Sequence, residues 1–119
     1  MTRPSAIENR IPQPYEDRLL GVGFLEKVYE NALVVELRLQ GIDGQQQHAL
    51  QVMYEGVVVG DFICDIVVED RVVLELKSCR VIEDVHQAQL LNYLRATGVR
   101  VGLLLNFGTS RLGIKRMVL

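Results

Sequence analysis

The middle of this chain places the tightest constraint on its fold. Residues 45–78 read QQQHALQVMYEGVVVGDFICDIVVEDRVVLELKS, with three runs rich in β-branched residues separated by short polar breaks. The breaks fall at Glu55-Gly56 and at residues 69–71, where the residue types are typical of tight turns. Because so short a connection joins neighbouring strands that run in opposite directions, the sequence predicts a three-stranded antiparallel meander.

A helix is predicted on each side of the meander. From Phe24 to Gln40 apolar residues recur at helical spacing, and Gly41 is a natural C-terminal stop. The apolar positions of this first helix are Leu25, Val28, Tyr29, Ala32, Leu33 and Leu37. Asp84 is a suitable cap for a second helix that runs to Thr97 and ends at Gly98.

The last part of the chain predicts two further strands. Residues 99–108, VRVGLLLNFG, form an apolar run suited to the buried centre of a sheet, and residues 112–119 suit an edge strand. With 119 residues the chain has room for one domain of ordinary size. The order of elements favours an α/β layer arrangement with a mixed sheet, in which the second helix links the meander to the next strand.

Composition and the N-terminal region limit the class of protein. The chain is 49% hydrophobic and 24% charged, with no apolar run near the roughly 20 residues that a membrane span requires. Residues 1–20 are polar, contain all three prolines and lack the apolar block of a secretory signal. We therefore expect an irregular lead-in over residues 1–20 and a cytoplasmic protein with no membrane partner. Cys64 and Cys79 lack metal-ligand spacing and are interpreted as packing residues.

Bulk charge does not indicate nucleic-acid binding. The formal net charge is -2, whereas proteins that bind nucleic acid without sequence preference usually carry a basic patch or a high pI. Arg111, Lys115 and Arg116 form a local basic cluster in the tail. A solvated strand face explains such a cluster equally well.

Charged residues inside the predicted strands point to a site. Because side chains alternate along a strand, Glu75 and Lys77 share one face of the third strand. In the second strand, Asp65 is predicted to lie opposite the face that carries Cys64 and Ile66. Charges among apolar neighbours are normally excluded unless they are paired, bind a metal or face water.

The length of the loop between these two strands decides whether the acids meet. A three-residue loop at 69–71 pairs Val67 with Val73 and sets Asp65 opposite Glu75. A two-residue turn would put the two acids on opposite faces of the sheet. The proposed site therefore depends on the three-residue loop.

Two carboxylates that face each other need a positive charge between them. Lys77 or a divalent cation can supply it, and hard oxygen ligands at an open sheet suit Mg²⁺. Lys77 shares the face and can hold or activate the attacking water beside a scissile phosphate. The alternative is a strand face that is simply solvated, as antiparallel strands often are.

The two helices supply further polar side chains. Glu26 lies at helical spacing with the apolar stripe of the first helix, and His86, Gln89 and Tyr93 form a polar stripe on the second. Together with Tyr29 of the first helix, these make five polar side chains that can converge on the acidic face. Three of them also have a structural alternative: a favourable helix dipole for Glu26, a local hydrogen bond for His86 and packing for Tyr93.

These motifs resemble a known family. GFLEKVYENAL carries Gly23, Glu26 and Tyr29 in the arrangement that names the GxxExxY protein family, a small branch of the PD-(D/E)XK nuclease superfamily. The resemblance continues through GDFICDIVVED, LELKS, HQAQLLNYLRATG and GLLLNFG and covers residues 21–119. The order of a helix Glu, a strand Asp, an E-x-K strand and a Q-x-x-x-Y helix also resembles the RecB-type nuclease pattern.

The resemblance implies a restriction-endonuclease-like αβββαβ core over residues 21–119 and two groups of site residues. The ligands of Mg²⁺ or Mn²⁺ would be Asp65, Glu75 and the main-chain carbonyl of Leu76. The residues that act on or position the substrate would be Lys77, as the catalytic lysine, with Glu26, Gln89 and Tyr93.

Two functions from different classes follow from these observations. The first is a Mg²⁺- or Mn²⁺-dependent nuclease that hydrolyses phosphodiester bonds in DNA or RNA, with nucleic acid as its partner. The second is a catalytically inactive module that keeps the fold for binding or assembly, with Lys77 as an ion-pair partner of buried acids. A homodimer is a further expectation, because GLLLNFG and the tail are predicted to leave apolar surface for a second copy.

Overall fold

The structure is a computed structural model that describes Glu8 and residues 23–119. Residues 23–119 form two helices and five strands: α1 Glu26–Leu39, β1 Gly44–Tyr54, β2 Val57–Val68, β3 Val72–Lys77, α2 Asp84–Thr97, β4 Val101–Asn106 and β5 Gly113–Val118. The lead-in predicted for residues 1–20 lies outside the described residues, apart from Glu8. Neither of these helices is long and apolar enough to cross a membrane.

The five strands form one mixed sheet in the order β1-β2-β3-β4-β5. Strands β3 and β4 are parallel, and α2 provides the crossover between them. The other neighbouring strands are antiparallel. This arrangement confirms the predicted meander, the αβββαβ order and the edge position of the last strand.

The turns of the meander have the predicted lengths. Glu55 and Gly56 both have positive φ, 50° and 77°, as a two-residue type I′ hairpin turn requires. Val68 pairs with Val72, which leaves the three residues 69–71 as the loop between β2 and β3. The loop length on which the proposed site depends is therefore confirmed.

A hydrophobic core lies on each face of the sheet. The core under α1 includes Tyr29, Leu33, Leu37, Ile66, Leu74 and Leu105. The core under α2 includes Val67, Val73, Leu90, Leu94 and Leu104. Alternate residues of the central strands supply both cores, and each fully buried leucine contributes roughly 1.5–3 kcal/mol relative to exposure.

The buried face of α1 differs from the predicted stripe by one position. Leu25 and Val28 were expected in the core but are 79% and 37% exposed. The buried residues of the helix are Tyr29, Glu30, Leu33, Val34 and Leu37. The helix can turn Glu30 inward because side chains of Lys27, Gln46 and Gln47 donate hydrogen bonds to its carboxylate.

Helix α2 begins one residue earlier than predicted. Glu83 is the N-cap, and Asp84, the predicted cap, is the first helical residue. The Glu83 N–H donates to Nδ1 of His86 at 3.0 Å, which satisfies a main-chain donor at the start of the helix. His86 therefore makes the local hydrogen bond that was its structural alternative.

Strand β4 does not provide the apolar surface expected for a dimer. Residues 102–107 are all buried, because β4 lies between β3 and β5 with a helix packed on each face. The predicted contribution of GLLLNFG to a partner surface is therefore wrong. In the tail, Ile114 and Leu119 are exposed.

Candidate active site

At the two acids, main-chain N–H groups of β2 and β3 donate hydrogen bonds to side-chain carboxylates instead of to main-chain carbonyls. Their ladder runs to the pair Ile66 and Leu74, and the next pair in this register is Asp65 and Glu75. There, the Asp65 N–H donates to Glu75 Oε1 at 3.1 Å, and the Leu76 N–H donates to Asp65 Oδ2 at 2.8 Å. The two carboxylates lie beside each other, as the three-residue loop predicted.

The alternation of side chains along β2 is broken at Asp65. Cys64 and Val67 both belong to the core under α2, whereas Ile66 belongs to the core under α1. The prediction that Cys64 shares a face with Ile66 is therefore wrong. The register places Gln47 of β1 opposite Asp65, and Gln47 has a φ of 52°, outside the extended range. This local departure and the side-chain hydrogen bonds explain why a simple period of two fails here.

The acidic pair is held in an environment that favours protonation. Glu75 is 4% exposed, and its burial, followed by the charge of Asp65, raises its pKa to about 8. Burial also raises the pKa of Asp65, against the opposing hydrogen bond from the Leu76 N–H. The charge of Lys77 lowers both pKa values without reversing either shift. The positive charge of Lys77 therefore compensates the acidic pair only in part.

The donor atoms fit a hard divalent cation. Each carboxylate accepts one main-chain N–H, and the two side chains also share a hydrogen bond, whose proton a cation would displace. The N–H and carbonyl of one strand residue point to the same side, so the Leu76 carbonyl is directed toward Asp65. Oxygen donors of this kind suit Mg²⁺ or Mn²⁺.

The number of protein ligands at this position is small. Within Glu8 and residues 23–119, no three or more His, Cys, Asp or Glu side chains are grouped to hold a metal ion. A cation at the acidic pair would take its remaining ligands from the main chain, water or a substrate. Mg²⁺ is commonly bound in this way, by one or two carboxylates together with water and phosphate oxygens.

Three of the polar residues predicted from the sequence form a connected chain beside the acids. Lys77 Nζ donates to Gln89 Oε1 at 3.4 Å, and Gln89 Nε2 donates to the Tyr93 hydroxyl at 2.7 Å. The Tyr93 ring stacks on Phe62 with centroids 4.4 Å apart. Among the described residues, Lys77 thus donates a hydrogen bond to an amide and makes no ion pair within 4 Å.

Glu26 does not join this chain, although the G-x-x-E-x-x-Y pattern has a clear structural basis. Gly23 has a φ of 105°, which allows the chain to turn into α1. The Phe24 N–H donates to the Tyr29 hydroxyl at 3.2 Å, and the buried Tyr29 ring stacks on Phe107. These contacts fix the start of α1, where Glu26 is exposed rather than turned toward the apolar stripe.

The acid of α1 whose charge reaches Asp65 is Glu30, which the sequence analysis missed. The Gln46 and Gln47 amides donate to its two carboxylate oxygens at 2.6 and 2.8 Å, and Lys27 donates at 2.9 Å. Glu30 thereby ties α1 to the residue of β1 that faces Asp65. Its spacing from Leu33, Val34 and Leu37 was the available signal. That spacing does not show which residues donate hydrogen bonds to Glu30.

Replacement of Glu30 by alanine is expected to lower the free energy of unfolding by about 1–3 kcal/mol, because amide and ammonium donors lose a buried acceptor. Glu30→Gln keeps one acceptor oxygen and should cost less. Urea denaturation of the two variants and the wild type measures both effects. An alanine variant as stable as the wild type would show that this hydrogen-bond network contributes nothing to stability.

Asn106 fixes the segment that follows Lys77. It lies buried at the end of β4, opposite Lys77 in the parallel register. Its Oδ1 accepts the N–H groups of Cys79 and Gly108 at 3.1 and 3.0 Å, and its Nδ2 donates to the Cys79 carbonyl at 2.9 Å. The Phe107 N–H donates to the Lys77 carbonyl at 2.8 Å. From the sequence, Asn106 was interpreted only as part of an apolar run.

The same contact requires glycine at position 108. A Cβ added there would lie 2.3 Å from the Cys79 carbonyl oxygen and 2.4 Å from its nitrogen, which are main-chain atoms. We expect Gly108→Ala to reduce stability by about 1–3 kcal/mol, the usual cost of overpacking. Gly60→Ala is the matched control, since nothing lies within 4 Å of its added Cβ. Equal melting temperatures for the two variants would contradict the close approach.

Comparisons with known proteins agree with this geometry. A family model of the PD-(D/E)XK nuclease superfamily matches residues 15–117. The solved crystal structure of SSO0001 is similar in fold, with a TM-score of 0.57 and 16% sequence identity over 77% of this chain and 48% of that chain. This chain thus spans about half the length of SSO0001. No curated protein matches it by sequence. The mixed sheet and its flanking helices are those of a restriction-endonuclease-like fold.

Proposed function

This chain belongs to the PD-(D/E)XK nuclease superfamily, and we propose that it is a Mg²⁺- or Mn²⁺-dependent nuclease that hydrolyses phosphodiester bonds in DNA or RNA. Within the superfamily we assign it to the GxxExxY proteins, with a RecB-type order of motifs. The observation that carries the proposal is the acidic pair of buried Glu75 and half-buried Asp65, whose charge the nearby Lys77 offsets only in part.

The proposed ligands of the cation are the carboxylates of Asp65 and Glu75 and the carbonyl of Leu76. When bound, a divalent cation supplies Lewis-acid chemistry, which polarises a phosphate oxygen and makes water a better nucleophile. The raised pKa values support this assignment, because a cation would replace the proton that the pair otherwise retains. The chain then orients the substrate and the attacking water.

Lys77 is the proposed catalytic lysine. An ammonium group carries three N–H donors, and one of them is engaged by Gln89, which leaves two for a phosphate oxygen or the attacking water. Its charge would stabilise the negative charge that develops on the phosphate. Gln89 and Tyr93 are proposed to hold the amine and to place the nucleic-acid backbone. Glu26 remains our candidate for positioning metal or water, supported by the resemblance rather than by a contact.

Cleavage assays test the proposal directly. The purified chain is incubated with single-stranded and duplex DNA and RNA in Mg²⁺ or Mn²⁺, with a chelator as the metal-free control. We expect metal-dependent cleavage by the wild type and its loss in Glu75→Ala, with circular dichroism used to show that the variant stays folded. A folded Glu75→Ala protein as active as the wild type would refute the site.

The second candidate is a catalytically inactive binding or assembly module. Each acid already accepts a main-chain N–H, which is a structural task that requires no metal. The net charge of -2 also gives little general attraction for nucleic acid. Under this alternative, the wild type would cleave none of the substrates. Amide variants of both acids, which keep the acceptor oxygens, would then keep the fold.

A further inference from the structure

A groove lies between α2 and the β1–β2 hairpin. It encloses about 630 Å³ and is lined on the strand side by Val52, Met53 and Phe62 and on the helix side by Tyr93, Arg95 and Ala96. This volume lies within the range of small-molecule sites. We call it the α2–hairpin groove.

The groove is continuous with the candidate active site through Tyr93. The hydroxyl of Tyr93 accepts a hydrogen bond from Gln89 Nε2, and Gln89 Oε1 accepts one from the amine of Lys77. The ring of the same residue stacks on Phe62 and forms the wall of the groove. Arg95 follows Gln89 by six positions, which places it about 9 Å farther along the helix axis. A nucleic-acid strand bound at the acids would therefore lie beside the groove wall that Tyr93 forms.

A β-bulge shapes the strand side of the groove. Val52 pairs with Gly60 and Met53 with Val58, so Val59 is an extra residue in β2. Three consecutive residues of the opposite strand β1, Gln51, Val52 and Met53, line the groove. A bulge bends the strand that carries the extra residue, and bulges are frequent beside functional sites. Met53 is 54% exposed, so its side chain remains accessible to a ligand.

The walls combine the groups that recognise a nucleotide. The rings of Phe62 and Tyr93 lie 15° from parallel and offer an aromatic wall to a base. Arg95 is exposed on α2, where its guanidinium donates to Asn92 Oδ1 at 3.0 Å and keeps other N–H groups for a phosphate. Aromatic stacking with nearby positive charge is the usual mode of binding to unpaired nucleic acid.

We propose that the α2–hairpin groove holds an unpaired base next to the scissile phosphate, so that the substrate is single-stranded or locally unpaired nucleic acid. This inference rests on the proposed function and names its substrate class. A duplex buries its base faces in stacking and is bound mainly through many phosphate contacts. Among the described residues that line the groove, Arg95 carries the positive charge, while most of the wall is apolar.

Equilibrium binding tests the groove separately from catalysis. Fluorescence anisotropy is measured with the Lys77→Met protein in Mn²⁺, using a short oligothymidylate, an abasic oligomer of equal length and a duplex of equal length. Oligothymidylate should bind at least about fivefold more tightly than either other ligand. Phe62→Leu and Arg95→Gln, each added to that protein, should weaken its binding by a similar factor. Val35→Ala, an exposed apolar position on α1, is the control and should leave it unchanged.

The outcomes separate this inference from the nuclease proposal. Equal affinity for oligothymidylate and the abasic oligomer would overturn the groove proposal. Unchanged affinity in both groove variants would also overturn it. Wild-type cleavage in Mn²⁺ is assayed in parallel. If the wild type cleaves but its binding does not depend on the bases, the groove proposal is refuted and the nuclease proposal is retained. If binding depends on the bases and both groove variants weaken it, but no substrate is cleaved, the groove proposal is retained and the nuclease proposal is refuted.

Discussion

Replacement of Lys77 by methionine is expected to reduce phosphodiester cleavage by about 100- to 1000-fold while leaving Mn²⁺ binding intact. The variant keeps an unbranched apolar stem but loses the charge that would stabilise the developing negative charge on the phosphate. The proposed metal ligands, Asp65 and Glu75, are unchanged. Single-turnover cleavage rates and calorimetric titration with Mn²⁺ measure the two effects on the same protein.

Lys115→Met is the matched control for this prediction. Lys115 is exposed on the edge strand β5, so its replacement removes the same charge away from the site. It should cleave as the wild type does. A Lys77→Met protein that cleaves within a few-fold of the wild type would contradict the role of the lysine. A Lys77→Met protein that loses both cleavage and Mn²⁺ affinity would contradict the assignment of Lys77 to catalysis rather than to metal binding.

The metal-free protein is expected to lose stability as the pH rises from about 5 to about 8. Folding raises the pKa of Glu75 from 4.5 to about 8, first through burial and then through the charge of Asp65. Between these values, the folded state keeps a proton that the unfolded state has released. The stability present below pH 4.5 is thus lost as the pH rises through 8, by up to about 1.4 kcal/mol per pH unit.

Glu75→Gln is the variant that isolates this effect. Glutamine retains Oε1 as an acceptor for the Asp65 N–H but carries no titrating proton. In a chelator, its unfolding free energy should therefore depend less on pH and exceed that of the wild type at about pH 8. Added Mn²⁺ should stabilise the wild type at this pH by mass action and leave Glu75→Gln nearly unchanged. Equal pH slopes for the two proteins in urea denaturation would contradict this assignment.

The parts of the fold and site that follow local periodicity could be predicted from the sequence. Glu75 and Lys77 share a strand face because side chains alternate, and the three-residue loop fixes which residue of β2 lies opposite. Gln89 and Tyr93 share a helix face because they are four positions apart. These rules act within one element or across one short turn, so they need no knowledge of distant contacts.

The remaining features depend on partners far away in sequence. Glu30 is buried because Gln46 and Gln47 of β1 donate to it, and helical spacing alone cannot show which carboxylate will find such donors. Asn106 binds main-chain groups of Cys79, 27 positions earlier in the chain. The break in side-chain alternation at Asp65 likewise depends on two strands, because the carboxylates of Asp65 and Glu75 accept main-chain N–H groups in place of main-chain carbonyls.

Calorimetric titration of the wild type and Asp65→Asn with Mn²⁺ tests the central claim most directly, because it requires no substrate. Asparagine keeps an oxygen to accept the Leu76 N–H but removes the charge. Asp61→Asn, an exposed position on the same strand, is the control. We expect that the wild type and the control bind Mn²⁺ and that Asp65→Asn loses this binding. Equal Mn²⁺ affinity in all three proteins, or no binding by the wild type at about millimolar metal, would contradict it.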